Sequence, residues 1–259
     1  MKFCCIQMSI KEADGETNRH TADAIINNNL GADFYLLPEL WSSGYCHSEW
    51  VSMAKEDTPK TIEFMRNKAK ELQASIGGSV IFLDEHSQLR NRFLLINSEG
   101  NILGYYDKSH LFTLMNEHLY LTPGNAIPIY EVNGFRIAPT ICYDLRFPEM
   151  FRRLALRGVD VFLVSAEWPA AREHIMTTLS QARAIESQAF LVLSNRIGPN
   201  DTNELFAGHS MIAGPGGILV SAYNEMNTAI TYTISKSEPV NAKKILPTFE
   251  HRLAGVDYD

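Results

Sequence analysis

Apolar runs of strand length alternate with amphipathic helical stretches through the first half of the chain. Residues 3–8 and 34–37 read as strands, and Pro38 ends the second of them. Between these strands, the apolar residues of 17–30 recur near helical spacing. Thr58-Pro59 can open the next helix, because proline fits the first position of a helix. The pattern then predicts strands at 79–83, 92–97 and 102–107.

A hairpin and a sharp corner follow in the middle of the chain. Asn133-Gly134 is a strong signal for a two-residue hairpin turn, and predicted strands 130–132 and 135–141 flank it. The second of these strands runs directly into Cys142, and a helix that begins with a proline follows. The remaining pattern predicts a helix at 172–188 and strands at 159–165, 189–194, 209–213, 218–221 and 229–234.

The chain is predicted to be a single domain. Its 259 residues contain no flexible linker, low-complexity tract or fixed-period repeat. We therefore expect one α/β domain over 1–259, with mixed sheets and outer helices, and an irregular C-terminal tail over about 239–259 that can pack on a partner subunit. The pattern alone leaves open whether the strands form a doubly wound sheet or a layered sandwich.

Composition narrows the classes of function. The net charge is −7 and the 23 lysines and arginines are scattered, so the sequence predicts no surface for nucleic acid or membrane. No apolar stretch approaches the roughly 20 residues of a membrane span, and the N-terminus turns polar too early for a signal peptide. The four cysteines contain no CxxC pair and are too few for a disulfide framework in a chain of this length. A reducing, cytoplasmic location is expected.

Three polar residues share a position that favours function. Glu39, Lys108 and Cys142 each come directly after a short apolar run, where the end of a rigid sheet can hold a side chain at an opening. Each signal alone is weak, since such a glutamate is usually a helix cap, such a lysine a surface charge and such a cysteine part of the core. Cys142 stands out because a strand-to-helix corner can present a nucleophile and leave backbone N–H groups for an oxyanion. A thiol of pKa about 8.5 also needs a base or a cation to activate it.

Three ordered segments resemble the signatures of the nitrilase superfamily of carbon–nitrogen hydrolases. They are Leu37-Pro38-Glu39-Leu40-Trp41, Tyr106-Asp107-Lys108-Ser109-His110-Leu111-Phe112 and Ile141-Cys142-Tyr143-Asp144-Leu145-Arg146-Phe147-Pro148-Glu149. The resemblance extends from the first strand to about residue 247, and it implies a four-layer αββα sandwich in one domain. It also implies pairing through a helical face, so a homodimer or higher homo-oligomer is expected.

The resemblance further implies a Glu–Lys–Cys triad at Glu39, Lys108 and Cys142. Glu39 would be the general base, and Cys142 would attack the amide carbon, expel ammonia and leave a thioester. Lys108, with the backbone N–H of Tyr143, would stabilise the oxyanion. Glu117 matches a fourth acidic position of family amidases, where it positions the substrate and supports the lysine. Without that family context, Glu117 reads as a solvated loop carboxylate.

A finer resemblance is to the omega-amidase branch, which hydrolyses the terminal amide of 2-oxoglutaramate and 2-oxosuccinamate. Two residues depart from that branch, since Ile175 stands where tryptophan is common and Ser187 stands where asparagine is usual. Both departures bear on the shape of the pocket, so the substrate stays open. The segments that carry the resemblance are 91–93, 110–112, 117–119, 142–148, 165–169 and 184–186.

Further candidates for contact with the substrate lie near the predicted nucleophile. Trp168 ends a predicted strand and suits either a wall of the acyl pocket or the protein core. Arg146 and Arg172 are candidates for binding a substrate carboxylate. Arg146 can equally be an ion-pair partner of Asp144 or Glu149.

Other functions stay open. A Cys–His protease would share the nucleophile, but the sequence around Cys142 lacks the papain-like and caspase signatures. Hydrolysis of N-carbamoyl amino acids or nitriles would use the same triad. A non-catalytic interaction module is disfavoured because all three triad residue types are present. The dispersed histidines show no paired-ligand spacing, so no metal or cofactor is expected, and His110 and His118 are expected to form hydrogen bonds around the site.

Overall fold

The chain folds into two stacked mixed sheets with helices outside them. The computed structural model describes residues 1–223 and 226–253. The strands of these residues are β1 (Lys2–Gln7), β2 (Phe34–Leu36), β3 (Ser75–Leu83), β4 (Leu89–Ile96), β5 (Ile102–Asp107), β6 (Tyr130–Val132), β7 (Phe135–Ile141), β8 (Val161–Ala166), β9 (Phe190–Asn195), β10 (Ile197–Pro199), β11 (Leu205–Ala207), β12 (Met211–Gly214), β13 (Gly217–Ser221) and β14 (Thr228–Thr233).

Each of the two large sheets is parallel in the centre and antiparallel at its edges. The first sheet has the strand order β14-β1-β2-β3-β4-β5, and the second has the order β13-β12-β9-β8-β7-β6. Strands β1 to β3 run parallel in the first sheet, as do β7 to β9 in the second. Strands β10 and β11 form a small antiparallel pair. Two stacked sheets settle the choice that the sequence pattern left open in favour of the layered sandwich.

The helices cover the outer faces of both sheets. They are α1 (Gly15–Asn27), α2 (Trp50–Ser52), α3 (Thr58–Leu72), α4 (Glu117–Tyr120), α5 (Pro148–Leu156), α6 (Glu173–Ser187) and α7 (Ser237–Ile245). Helices α1 and α3 pack on the first sheet, and α5 and α6 pack on the second. A π-helical segment, Met53–Asp57, joins α2 to α3.

The alternating side chains of β1 show how the layers are held together. Phe3 and Cys5 lie in the core cluster that includes strands of the second sheet, whereas Cys4 and Ile6 lie in the cluster that includes α1 and α3. All four side chains are fully buried, so both faces of the strand are covered, as is usual for parallel strands between two layers. Burial on both faces explains why this strand reads as an apolar run rather than as an alternating pattern.

Most predicted strands are confirmed, and β5, β6 and β7 have the predicted bounds. Strand β3 begins at Ser75 rather than at 79, because residues 75–77 pair in parallel with β2. The prediction of irregular structure from Pro239 is wrong, since α7 spans this residue. Proline is tolerated there because the first turn of a helix leaves its N–H groups without helical partners. Residues 254–259 of the predicted tail lie outside the described residues.

Candidate active site

The Glu39 carboxylate is fully buried just beyond the end of β2, and both sheets hold it. Its Oε1 accepts hydrogen bonds from Lys108 Nζ at 2.7 Å and from Asn91 Nδ2, on β4, at 2.8 Å. The same oxygen lies 3.0 Å from the Tyr45 hydroxyl. Its Oε2 accepts a hydrogen bond of 3.0 Å from the backbone N–H of Glu167, directly after β8. A buried carboxylate needs such partners, and these leave Glu39 one orientation.

Lys108 follows β5 and joins two buried carboxylates. Its Nζ lies 2.7 Å from Oε1 of Glu39 and 2.7 Å from Oε1 of Glu117, and none of the three side chains has exposed surface. Burial by itself lowers the pKa of Lys108, but Glu117 and Glu39 outweigh burial and raise it above its ordinary value. The lysine therefore stays a cation, and two of its three N–H groups point at carboxylates.

Glu117 is the first residue of α4 and reaches inward from the surface loop. Its Oε2 accepts a hydrogen bond of 2.6 Å from the backbone N–H of Phe112. Asn116, just before it, has a φ of 56°, a left-handed conformation that asparagine adopts more readily than most residues. Because Glu117 has no exposed surface, the alternative of a solvated loop carboxylate is excluded.

Cys142 occupies the corner that the sequence predicted. Its φ of 41° lies in the left-handed region, and a 3₁₀ turn, Cys142–Arg146, leads from β7 into α5. A non-glycine residue in this conformation persists only where its surroundings hold it. The Asp144 carboxylate does so in part, because its Oδ2 accepts a hydrogen bond of 2.9 Å from the backbone N–H of Ile141.

Asp144 also ties the nucleophile's corner to the lysine's segment. Its Oδ2 accepts a hydrogen bond of 2.7 Å from the hydroxyl of Tyr106, and its Oδ1 lies 2.8 Å from His110 Nδ1. Tyr106 and His110 stand on either side of Lys108 in the chain. One buried carboxylate therefore fixes the positions of Cys142 and Lys108 relative to each other.

The Cys142 thiol is buried close enough to Glu39 and Lys108 for both charges to act on it. Burial raises the pKa of Cys142 well above its ordinary value, Glu39 raises it further, and Lys108 opposes both. Burial also raises the pKa of Glu39, and Glu117 adds to this against the opposing effect of Lys108. The thiol therefore keeps its proton until a base removes it, and Glu39 is the neighbouring carboxylate that can act as that base.

A pocket lies beside Cys142, between its corner and the segment that follows β8. All four residues predicted to contact the substrate line this pocket. They are Tyr143, Arg146, Trp168 and Arg172. The full lining is Phe112, Cys142, Tyr143, Arg146, Glu167, Trp168, Pro169 and Arg172.

The two predicted arginines form no ion pair with any residue that the structure describes. The Arg146 guanidinium lies 5.1 Å from the centre of the Trp168 ring, over its face. The indole N–H of Trp168 donates to the backbone oxygen of Arg172 at 2.9 Å. The alternative ion pair of Arg146 with Asp144 is not found, because other donors occupy both Asp144 oxygens. Trp168 is buried and at the same time lines the pocket, so both of its predicted positions hold.

Three residues of the site were missed in the sequence. Tyr45 and Asn91 contact Glu39, and Glu167 positions it through its backbone N–H. Glu167 follows β8 as Glu39 follows β2, so the same strand-end signal could have found it. Nothing in the local sequence of Tyr45 or Asn91 indicates these contacts, and Asn91 meets Glu39 across 52 residues of chain.

Glu167 belongs to a second buried ionic cluster behind the site. Its Oε2 lies 2.6 Å from Nη1 of Arg196, and the same nitrogen lies 3.2 Å from Oε1 of Glu12. Burial raises the pKa of Glu167 to about 8, against the opposing effect of Arg196. This carboxylate therefore holds a proton more readily than an exposed glutamate does.

The remaining sequence predictions have mixed outcomes. His110 contacts Asp144 as expected, whereas His118 is exposed and forms no side-chain hydrogen bond with the described residues. Within residues 1–223 and 226–253, no group of three or more His, Cys, Asp or Glu side chains could hold a metal ion. None of the described helices is long and apolar enough to cross a membrane.

Comparisons with known proteins match most of this chain. The carbon-nitrogen hydrolase family model matches residues 4–242. A 2-oxoglutaramate amidase of Bacillus subtilis is 34% identical over 247 residues, which cover 95% of each chain. The omega-amidase YafV of Escherichia coli is 36% identical over 221 residues, covering 85% of this chain and 84% of the relative. The crystal structure of XC1258 from Xanthomonas campestris, a CN-hydrolase superfamily protein with an arsenic adduct in its active site, matches with a TM-score of 0.91 and 32% identity over 99% of this chain and 98% of that chain.

Proposed function

Because this chain belongs to the carbon–nitrogen hydrolase family, we propose that it is an omega-amidase that works through a Glu39–Lys108–Cys142 triad. Its substrates would be 2-oxoglutaramate, 2-oxosuccinamate or a closely similar amide. The observation that carries the proposal is the fully buried contact of Glu39, Lys108 and Glu117 beside the Cys142 thiol. The names of the Bacillus subtilis and Escherichia coli relatives support the substrate class.

In the first half of the reaction, Glu39 takes the proton of the Cys142 thiol. The sulfur adds to the amide carbon, and the carbonyl oxygen becomes an oxyanion that Lys108 Nζ and the Tyr143 N–H stabilise. The carbon–nitrogen bond then breaks, and the proton on Glu39 passes to the leaving nitrogen, which departs as ammonia. A thioester between the acyl group and Cys142 remains.

In the second half, a water molecule takes the place of ammonia. Glu39 removes one proton of the water while its oxygen attacks the thioester carbon, and the same two donors stabilise the second oxyanion. When the carbon–sulfur bond breaks, the proton on Glu39 returns to the sulfur. The acid product leaves and the site is restored.

The arginines of the pocket support an acidic substrate. Arg146 and Arg172 line the pocket of Cys142 and form no ion pair with any described residue. A guanidinium can bind a carboxylate through two parallel hydrogen bonds, so either arginine can hold the carboxylate at the far end of a keto-acid amide. Trp168 and Phe112 would enclose the carbon chain between the two ends.

An ammonia-release screen tests this proposal. The panel contains 2-oxoglutaramate, 2-oxosuccinamate, N-carbamoyl amino acids and simple nitriles, each offered to the wild type and to Cys142→Ala. Cys46→Ala is the matched control, since Cys46 is a free thiol that does not line the pocket. The wild type and Cys46→Ala should release ammonia from the two keto-acid amides, and folded Cys142→Ala should release none.

Every other result of the screen would change a different part of the proposed function. Turnover by Cys142→Ala would contradict the mechanism. Turnover of carbamoyl compounds or nitriles alone would keep the triad and replace the substrate class. No turnover of any compound would favour a non-catalytic interaction module.

We also propose a cytoplasmic homodimer or higher homo-oligomer that pairs through its helical face and C-terminal segment. All four cysteines are free thiols, which suits a reducing compartment. Apolar side chains on the outer helices are exposed in the single chain, and they include Leu156, Ile185 and Val240. Sedimentation velocity should give at least twice the mass of one chain, whereas a monomer at micromolar concentration would contradict the pairing.

A further inference from the structure

The Tyr45 hydroxyl lies between the two carboxylates that share Lys108. It is 3.0 Å from Oε1 of Glu39 and 2.6 Å from Oε1 of Glu117. These are the same two oxygens that Lys108 Nζ contacts at 2.7 Å. Four polar groups therefore form a closed ring in which each carboxylate oxygen faces both the ammonium and the phenol.

A count of hydrogens indicates that this ring needs one proton beyond that of the phenol. A phenol has one hydrogen to donate, and an ionised carboxylate can only accept. With both carboxylates ionised, Tyr45 could donate to one of them, and the other would face a phenol lone pair at hydrogen-bond distance. Two buried acceptors without a hydrogen between them repel, so one more proton is needed to satisfy both contacts.

We propose that Tyr45 is a positioning residue of the reaction that acts through Glu39 and Glu117, and that the row Glu39–Tyr45–Glu117 holds one shared proton. In one arrangement Glu39 Oε1 carries the proton and donates to Tyr45, which donates to Glu117. In the other, the Glu39 proton has moved to the Tyr45 oxygen and the former phenol proton has moved to Glu117 Oε1. The second arrangement leaves Glu39 ionised beside Cys142. The inference rests on the proposed function in that Glu39 is the base of that reaction.

Charged and titratable groups face this row from several elements. Lys108 follows β5, Cys142 follows β7, and Glu167 follows β8. The His47 ring meets the Tyr45 ring edge to face at 6.2 Å. Lys108 is the cation of this group that contacts both carboxylates, and it favours the ionised form of Glu39.

Burial supports the shared proton. Burial raises the pKa of Tyr45 well above its ordinary value, and Glu117 and Glu39 raise it further, so the phenol keeps its hydrogen at neutral pH. Burial likewise raises the pKa of Glu39. Interacting groups of this kind titrate as a set rather than one by one.

The test compares Tyr45→Phe with Tyr35→Phe. Tyr35 is a matched control because it is also fully buried, and its hydroxyl bonds to the backbone oxygen of Asn29 at 3.1 Å, away from the pocket. The first readout is kcat/KM for ammonia release between about pH 5 and 9. The second is the rate at which iodoacetamide alkylates Cys142 over the same range, which needs no substrate.

We expect Tyr45→Phe to lower kcat/KM by about 10-fold to 100-fold, as for a lost buried hydrogen bond. The phenol favours the ionised form of the carboxylate to which it donates, so its removal should raise the proton affinity of Glu39. Because the active form needs Glu39 ionised, the acid limb of both pH profiles should move to higher pH. Tyr35→Phe should leave both limbs in place.

Glu117→Gln should move the acid limb in the opposite direction. It also tests the inference if Tyr45→Phe does not fold. It removes one of the two like charges, so the proton affinity of Glu39 should fall and the acid limb of alkylation should move to lower pH. The inference would be overturned if the acid limbs of the pH profiles did not move in Tyr45→Phe and Glu117→Gln. It would also be overturned if each variant lost the same fraction of its rate at every pH. If the wild type releases no ammonia from any amide, the proposed function fails, while the alkylation profiles still decide the role of Tyr45.

Discussion

Two largely buried clusters, each with one cation between two glutamates, meet at Glu167, and their cations are bound differently. In one, Lys108 Nζ lies between Glu39 and Glu117, and in the other, Arg196 Nη1 lies between Glu167 and Glu12. The clusters are joined by the backbone N–H of Glu167, which donates to Glu39. Because both clusters contain one cation and two glutamates, their charged residues alone do not show which cluster is reactive and which is structural.

The difference lies in what each cation does with its other hydrogens. Arg196 Nη2 donates to the backbone oxygens of Ile10 and Pro199, and the guanidinium lies 4.3 Å from the centre of the Phe206 ring. The planar group is therefore held on several sides. The hydrogen bonds of Lys108 Nζ to described residues go to the two carboxylates, which leaves one N–H for the substrate beside Cys142. A compact ammonium with a spare donor beside the nucleophile suits an oxyanion. A guanidinium whose Nη1 and Nη2 bind four oxygens, and whose Nε is buried without a hydrogen-bond partner among the described residues, suits a joint between segments.

The largest expected effect is a loss of activity on substitution of Lys108, the cation of the first cluster. Lys108→Met should lower kcat/KM by at least about 10³-fold, because it removes an oxyanion donor and the cation that keeps Glu39 ionised. Steady-state ammonia release per folded molecule is the measurement. Lys68→Met is the matched control, since Lys68 is also largely buried and paired with two carboxylates, Asp23 and Glu71, outside the site. A loss of activity in the control as large as that in Lys108→Met would remove the distinction.

A substitution in the Arg196 cluster is expected to have a smaller effect, and to lower stability rather than activity. Arg196→Met removes four hydrogen bonds, to Glu167, Glu12 and two backbone oxygens, so we expect the free energy of unfolding to drop by about 3–5 kcal/mol. Urea unfolding at neutral pH measures the loss, and kcat/KM per folded molecule should stay within about 10-fold. Arg19→Met, which breaks a more accessible ion pair with Asp57, should cost about 1 kcal/mol or less. An Arg196→Met protein of normal stability but without activity would show that both clusters serve the chemistry.

The smallest expected effect is a dependence of stability on pH at the link between the clusters. The folded protein raises the pKa of Glu167 from an ordinary value of 4.5 to about 8, through burial. The folded state therefore binds this proton more tightly than the unfolded state, and the stability gained below pH about 4.5 is lost as pH rises through about 8. Glu167→Gln cannot ionise, so its unfolding free energy relative to wild type should rise across that window. A difference that stays constant from pH 5 to pH 8 would contradict the assignment.

The sequence predicted the parts of the site that depend on local order. Each of the three triad candidates comes after a strand, and the ends of β2, β5 and β7 lie where the apolar runs end or within a residue of that point. The hydrophobic pattern is set by burial within single strands, so it can be read without knowledge of the fold. The corner at Cys142 could be predicted for the same reason, because a proline-started helix follows a strand almost at once.

The contacts between segments could not be predicted in this way. Tyr45 meets Glu117 across 72 residues of chain, and Asn91 meets Glu39 across 52. Such contacts are set by how the two sheets and the α4 loop pack, and a buried tyrosine in a core has the same local sequence signal as one that holds a catalytic base. The short strands β10 and β11 and helix α7 were missed because segments of three to nine residues with Gly, Pro or charged positions carry little periodicity.

The central claim is that Cys142 carries the acyl group during amide hydrolysis. Acid-quenched wild type, mixed for less than one turnover time with 2-oxoglutaramate, should show an intact mass increased by the acyl group, and peptide mapping should place the increase on Cys142. Cys142→Ala should show no increase and release no ammonia. Ammonia release without a covalent adduct on Cys142, or any release by the alanine variant, would contradict the account.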